Sequence, residues 1–179
     1  MGIWKTLEFD KCSNEILMFK DRNMISAHEY LENLKIYAQV YTGFFHRKDF
    51  FRENINLKTP MLIYRYSKLM CESCILEDLK EIELFQEEIG KEKILLLPAY
   101  PDDRMGVIEL SNVLVKHNFV NIPLDSLVIP SDEGNILQRY FAVIDKDYNL
   151  TMVFIPRRGE ENLTRTYFLE VKKEINREY

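Results

Sequence analysis

The sequence predicts an α/β domain of three layers, with helices against a mixed central sheet and an N-terminal extension. Three observations carry that expectation. Thr59-Pro60-Met61-Leu62-Ile63-Tyr64-Arg65-Tyr66 is a short, mostly apolar strand entered through a proline. Lys93-Ile94-Leu95-Leu96-Leu97 has no alternation, the pattern of a strand in a parallel sheet covered on both faces. Tyr140-Phe141-Ala142-Val143-Ile144-Asp145 and Leu150 to Ile155 flank Lys146-Asp147-Tyr148-Asn149 as a β-hairpin, which adds antiparallel strands.

Taken in order, residues 1–57 form the extension, expected to pack on the domain that spans 58–179. Glu8 to Lys20 holds the apolar cluster Ile16-Leu17-Met18-Phe19 and reads as one strand. Ser26-Ala27-His28-Glu29 has capping-box spacing ahead of Tyr30, Leu31, Leu34 and Tyr37 at helical intervals. Leu34 to Tyr41 also alternates as a strand would, so that segment stays open between the two. Phe44, Phe45, Phe50 and Phe51 read as core or docking side chains rather than a binding surface.

Between the first two strands of the domain, Ile75 to Ile89 is an amphipathic helix with Ile75, Leu79, Ile82, Phe85 and Ile89 inside. Glu77, Asp78, Glu81, Glu83, Glu87 and Glu88 form its expected solvated face, and Gly90 its stop. Pro98 to Asp103 is a loop. Met105 to His117 is a second helix, with Val107, Ile108, Leu110, Leu114 and Val115 at its apolar positions. Phe119 to Pro130 holds two short apolar pieces, punctuated by Pro123 and Pro130. Asn162 to Arg177 closes the chain as a helix, with Leu163, Tyr167, Leu169, Val171 and Ile175 available to the sheet.

Composition narrows the function classes. The 179 residues are 46% hydrophobic and 12% aromatic, enough for a core and unlike a disordered chain. A net charge of -5 and a pI near 5.4 disfavour nucleic acid, whose phosphates call for a basic face. No apolar run approaches the ~20 residues that span a bilayer. Met1-Gly2-Ile3-Trp4-Lys5 lacks a signal-peptide pattern, which fits either a cytosolic protein or the mature form of an exported one.

Cys71-Glu72-Ser73-Cys74 joins the first strand to its helix. A sulfur there faces helix amides that favour its thiolate, the reactive form, and this is where thioredoxin-like proteins keep a redox dithiol. Two blander readings stand beside it: an inert pair that packs at the helix start, and a zinc site. The zinc site would need two further ligands, and Cys12, His28, His46 and His117 show no second pair at ligand spacing. No metal or other cofactor is therefore expected, and Cys12 reads as a small hydrophobe.

The order strand–Cys-x-x-Cys–helix–strand–helix–strand–strand–helix from Thr59 onward resembles the thioredoxin fold. More narrowly, "YRYSKLMCESC" and "YFAVIDKDYNLTMVFIP" resemble the dithiol junction and the hairpin of TlpA/ResA-like and AhpC/TSA-type thiol–disulfide proteins of Bacteroidetes. Those carry an insertion, here about 98–136. The resemblance implies that Cys71 is the attacking cysteine and Cys74 the resolving one. It places Arg139 and Tyr140 opposite them, at the substrate-docking edge. Arg139 stands where the family has a cis-proline, and Met70 where an aromatic residue often precedes the first cysteine. Lys68 stands where a peroxiredoxin has the threonine of Thr-x-x-Cys, which disfavours a peroxidase. Glu72, a carboxylate beside Cys71, is expected to raise its pKa. Arg139 as a functional residue would lower that of Cys71; as a structural one it would be a surface cation or salt-bridge partner.

Two functions follow from the resemblance. One is a thiol–disulfide oxidoreductase working through Cys71 and Cys74 on protein thiols or disulfides, in the cell envelope if an export signal was removed and otherwise in the cytoplasm. The other is a redox-inactive thioredoxin-fold binding or assembly module of the cell envelope, which the missing proline favours.

Overall fold

A computed structural model describes residues 55, 57, 59–124 and 139–176. The strand expected over 8–20, the capping box at Ser26, the segment 34–41, the phenylalanines at 44–51, Cys12, His28, His46 and Pro130 all lie outside those residues. Of the expected extension, Ile55 and Leu57 are described, both buried against the sheet.

Strand β1 (Met61–Ser67) is buried at every position after Met61. It pairs in parallel with β2 (Ile94–Ala99), from Leu62 opposite Ile94 to Ser67 opposite Ala99. Pro98 belongs to β2 rather than to a loop. Leu96 N–H donates outward to Asn118 at 2.9 Å, so the N–H that Pro98 lacks would also have faced that side and not β1. Val120 N–H returns to Leu96 and Ile122 N–H to Pro98, which lays 118–122 along the outer edge of β2.

Helix α1 (Glu72–Ile89) starts three residues before the expected Ile75, with Cys71 as its N-cap. Gly90 ends it at φ 95°, a left-handed conformation that glycine adopts without strain. Ile75, Leu79, Ile82, Phe85 and Ile89 face the core as expected. Asp78 and Glu81 correct the expected solvated face, because both are buried. Asp78 sits three after Ile75 and four before Ile82, on the apolar stripe itself, and each acid is compensated by an arginine from another element.

Helix α2 (Arg104–Val113) is shorter than expected and begins on Asp103, whose carboxylate accepts the Gly106 N–H at 2.7 Å. Val107, Ile108 and Val115 are exposed, against expectation. Only the stripe Gly106, Leu110 and Leu114 turns inward, and Gly106 lies so close that a Cβ would sit 2.1 Å from the Pro101 carbonyl. Strands β3 (Tyr140–Ile144) and β4 (Leu150–Phe154) form the hairpin, with Asp145 accepting the N–H groups of Asp147 and Asn149 in the turn. Helix α3 (Glu161–Ile175) buries Thr164, Phe168, Val171 and Ile175. Leu169, expected inside, is exposed, because the inner stripe runs through its neighbour Phe168.

The sheet order is β2-β1-β3-β4, with β3 antiparallel to β1 and β4 antiparallel to β3. This is a thioredoxin-like α/β fold. Alternation along the strands splits the core in two. Tyr64, Tyr66, Phe141, Val143 and Phe154 face the three helices. Ile63, Leu97, Tyr140, Ala142 and Ile144 face the other way, and among the described residues Ile55, Leu57 and Ile122 pack on them. One helical face therefore holds the aromatic stack and supports the dithiol above it.

Candidate functional site

The turn after β1 is short and tied down. Lys68 N–H donates to Ala99 and Met70 N–H to Ser67, each at 3.1 Å, so the chain leaves β1 and reaches the α1 N-terminus within four residues. Met70 is half-buried against the helical core. Lys68 lies at the surface, paired with Glu109 and 5.9 Å from the Tyr100 ring.

This geometry separates the two cysteines. Cys71 is exposed and Cys74 buried, and both are free thiols. The Ser73 hydroxyl lies 3.1 Å from the Cys71 sulfur. Hydrogen bonding from the Cys74 thiol, then from Ser73 and the Cys74 backbone N–H, lowers the Cys71 thiol to about 7, and the Arg158 charge adds to the effect. The expected rise from Glu72 is overturned, since donors at the helix start outweigh a carboxylate whose side chain is exposed to water. Cys74 moves the other way. It is raised because its proton is held toward the Cys71 sulfur, and further by burial, while Arg139 and Arg158 oppose the rise.

Beneath Cys74 lies a charged group that the sequence reading missed. One oxygen of Asp78, Oδ2, accepts both the Tyr64 hydroxyl at 2.6 Å and Arg139 Nε at 2.5 Å. Burial raises the Asp78 carboxyl, against the pull of Tyr64 and Arg139. Burial works against the Arg139 charge too, and Asp78 more than restores it. Arg139 is thus a salt-bridge partner, and its charge also favours the Cys74 thiolate. A readable signal did exist: Asp78 interrupts an apolar stripe exactly one helical turn after Cys74 in sequence spacing.

Tyr140 does not join the site. It is fully buried on the sheet face away from the helices, next to Ile63 and Leu97, as period-two alternation requires of the residue before Phe141. The expected docking role for Tyr140 is corrected on that ground. Arg158, in the loop between β4 and α3, had no place in the sequence reading, yet its charge reaches both sulfurs. Its Nε is 3.9 Å from Glu77, with both side chains largely in water.

Among the described residues, no group of three His, Cys, Asp or Glu is arranged to hold a metal ion. His117 is buried and bonded through Nδ1 to Gln86 at 3.1 Å. No described helix is long and apolar enough to cross a membrane.

No protein-family model matches the chain, and no curated protein matches it. Solved structures similar to it include the peroxidoxin BcpB of Mycobacterium tuberculosis, 13% identical over 69% of this chain and 84% of that one, with a TM-score of 0.46. The mitochondrial 2-Cys peroxiredoxin of Plasmodium falciparum is 15% identical over 68% and 81%, with a TM-score of 0.42. The N-terminal domain of PilB from N. meningitidis, in its reduced form, is 14% identical over 61% and 78%, with a TM-score of 0.36.

Proposed function

We propose that this protein is a thiol–disulfide oxidoreductase that acts on protein disulfides, with Cys71 as nucleophile and Cys74 as resolving thiol. The observation that carries the reading is the division of labour in the pair. The exposed sulfur at the helix N-cap is poised as a thiolate near neutral pH, while the buried one keeps its proton.

In the proposed cycle, the Cys71 thiolate attacks one sulfur of the substrate disulfide and the other leaves as a thiolate. Cys74 then gives up its proton to solvent and attacks the Cys71 sulfur of the mixed disulfide. The second substrate thiolate leaves, and a Cys71–Cys74 disulfide remains. Two electrons pass from the dithiol to the substrate. Arg158 stands near the reacting sulfurs and would favour anionic species there. The cell envelope is the proposed compartment, on the strength of the resemblance to exported thiol–disulfide proteins.

Insulin reduction in the presence of dithiothreitol tests the activity. The wild type is expected to shorten the lag before precipitation and Cys71→Ser to match the reaction without protein. A wild type no faster than Cys71→Ser would instead favour the binding or assembly module.

A further inference from the structure

We infer that Leu69 and Leu76 flank the Cys71 sulfur as a docking surface, and that the disulfides attacked lie in polypeptide segments with apolar side chains beside the cysteine. The inference rests on the oxidoreductase reading and adds to it the class of substrate.

Both leucines are large apolar side chains left in water, Leu69 67% and Leu76 54% exposed. Each is placed beside Cys71 by the chain itself. Leu69 lies two residues before Cys71, in the turn that the Lys68 and Met70 N–H groups tie to Ala99 and Ser67. Two trans peptide links keep its Cα within ~7.6 Å of that of Cys71. Leu76 is located through Ser73, whose hydroxyl lies 3.1 Å from the Cys71 sulfur. It follows Ser73 by three residues on α1, so the two share a face. Its side chain leans toward the helix N-terminus, where the dithiol stands.

The reaction identifies what covers these side chains. In a mixed disulfide the substrate cysteine has its Cα ~4.4–6.8 Å from that of Cys71. The residues on either side of it stand ~3.8 Å further along the substrate chain. They therefore pass within reach of Leu69 and Leu76. Charge points to the same occupant. Lys68, next to Leu69, is paired with Glu109, and Arg158 faces Glu77 at 3.9 Å. Glu72 is exposed beside Cys71 and disfavours an acidic partner. Apolar substrate side chains gain by leaving water against the leucines, and polar ones do not.

The test uses peptides with one cysteine held as a mixed disulfide with 5-thio-2-nitrobenzoate, flanked by leucines in one and by serines in the other. The protein carries Cys12→Ser. The Cys71 thiolate attacks the peptide sulfur, a disulfide forms between Cys71 and the peptide, and the coloured nitrobenzoate thiolate leaves. Each rate is divided by that of dithiothreitol on the same compound. The corresponding mixed disulfide of 2-mercaptoethanol has no side chains and reports the sulfur alone.

The wild type is expected to prefer the leucine peptide ~10-fold, a ratio that burial of roughly 55 Å² of apolar surface supplies. Leu69→Gln with Leu76→Gln is expected to bring the ratio close to one and to leave the rate on the mercaptoethanol compound unchanged. Should that double variant fail to fold, each single variant is expected to lose ~3-fold of the preference. Leu84→Gln is the control. Leu84 is also exposed on α1, at 48%, but lies ~12 Å further along the helix than Leu76, so its loss is expected to leave the ratio as in the wild type.

A wild type that does not distinguish the peptides overturns the proposal and leaves the leucines to another partner, such as a second copy of the chain. A folded double variant that keeps the preference overturns it too, as does a Leu84→Gln protein that loses it. If the wild type reacts with the mercaptoethanol compound no faster than Cys71→Ser, the oxidoreductase reading itself falls and takes the proposal with it. That outcome is distinct from the others, in which the small compound still reacts.

Discussion

Arg165 holds Glu81 through two parallel hydrogen bonds, Nε to Oε2 and Nη2 to Oε1, each 2.7 Å long. The contact fastens the last helix to the helix that carries the dithiol. Glu81 is buried while Arg165 is more than half exposed, so the arginine serves to compensate a carboxylate the core has enclosed. Arg165→Ala is expected to lower the melting temperature more than Glu81→Gln, because it strands the buried carboxylate. Arg165→Lys, which cannot reproduce the fork, is expected to fall between wild type and Arg165→Ala. Thermal unfolding followed by circular dichroism reads all three.

The Cys71 thiol is lowered to about 7, with hydrogen bonds as its main cause. The rate of alkylation by iodoacetamide is therefore expected to rise through a midpoint near 7 as pH increases and the thiolate forms. Ser73→Ala removes one donor, and its midpoint is expected to lie higher. A Ser73→Ala profile that coincides with the wild type would show that the hydroxyl does not hold the thiolate.

Phe141 is fully buried and stacks on Tyr64, with Phe154 and Phe168 also against it. Phe141→Ala opens a cavity where the hairpin meets the last helix, and a loss of ~3–5 kcal/mol is expected in urea unfolding. The exposed Leu169 provides the control, since Leu169→Ala removes little from the core and is expected to cost about 0.5 kcal/mol or less.

His117 is held below its ordinary value of 6.5, chiefly by burial, with Glu83 opposing from 3.9 Å. Its native form takes up a proton less readily than its unfolded form. The stability this contributes is present above about 6.5 and is lost as pH falls through the depressed native value. His117→Asn is expected to flatten the acid limb of a stability–pH profile below 6.5 and leave the neutral region with a smaller slope change. Equal slopes in the two proteins would exclude His117 as the titrating group.

What was legible in the sequence was whatever depended on local periodicity. The buried run at Ile94–Leu97, the turn at Asp145–Asn149 and the glycine stop at Gly90 each carry their own chemistry, and all three stand where expected. The cysteine pair was legible too, because strand, dithiol and helix are contiguous. What escaped depends on partners far away in the chain. Asp78 and Glu81 read as solvated acids because their arginines lie 61 and 84 residues later. Tyr140 was misplaced because the face of a strand residue is set by register, and pairing Arg65 with Tyr140 sends both away from the helices. The exposed Val107 and Ile108 show the same limit, since the inward stripe of α2 is set by a glycine close enough to touch the Pro101 carbonyl.

The most direct test of the central claim is to trap the intermediate. Reduced Cys74→Ser is mixed with a disulfide-containing protein substrate such as insulin, quenched in acid and mapped by mass spectrometry. The account predicts a stable mixed disulfide on Cys71, since the residue that would release it is gone. It predicts none in Cys71→Ser and none that persists in the wild type, where the Cys71–Cys74 disulfide forms instead. A Cys74→Ser protein that accumulates no adduct on Cys71, or a wild type that forms no disulfide between the pair, would contradict it.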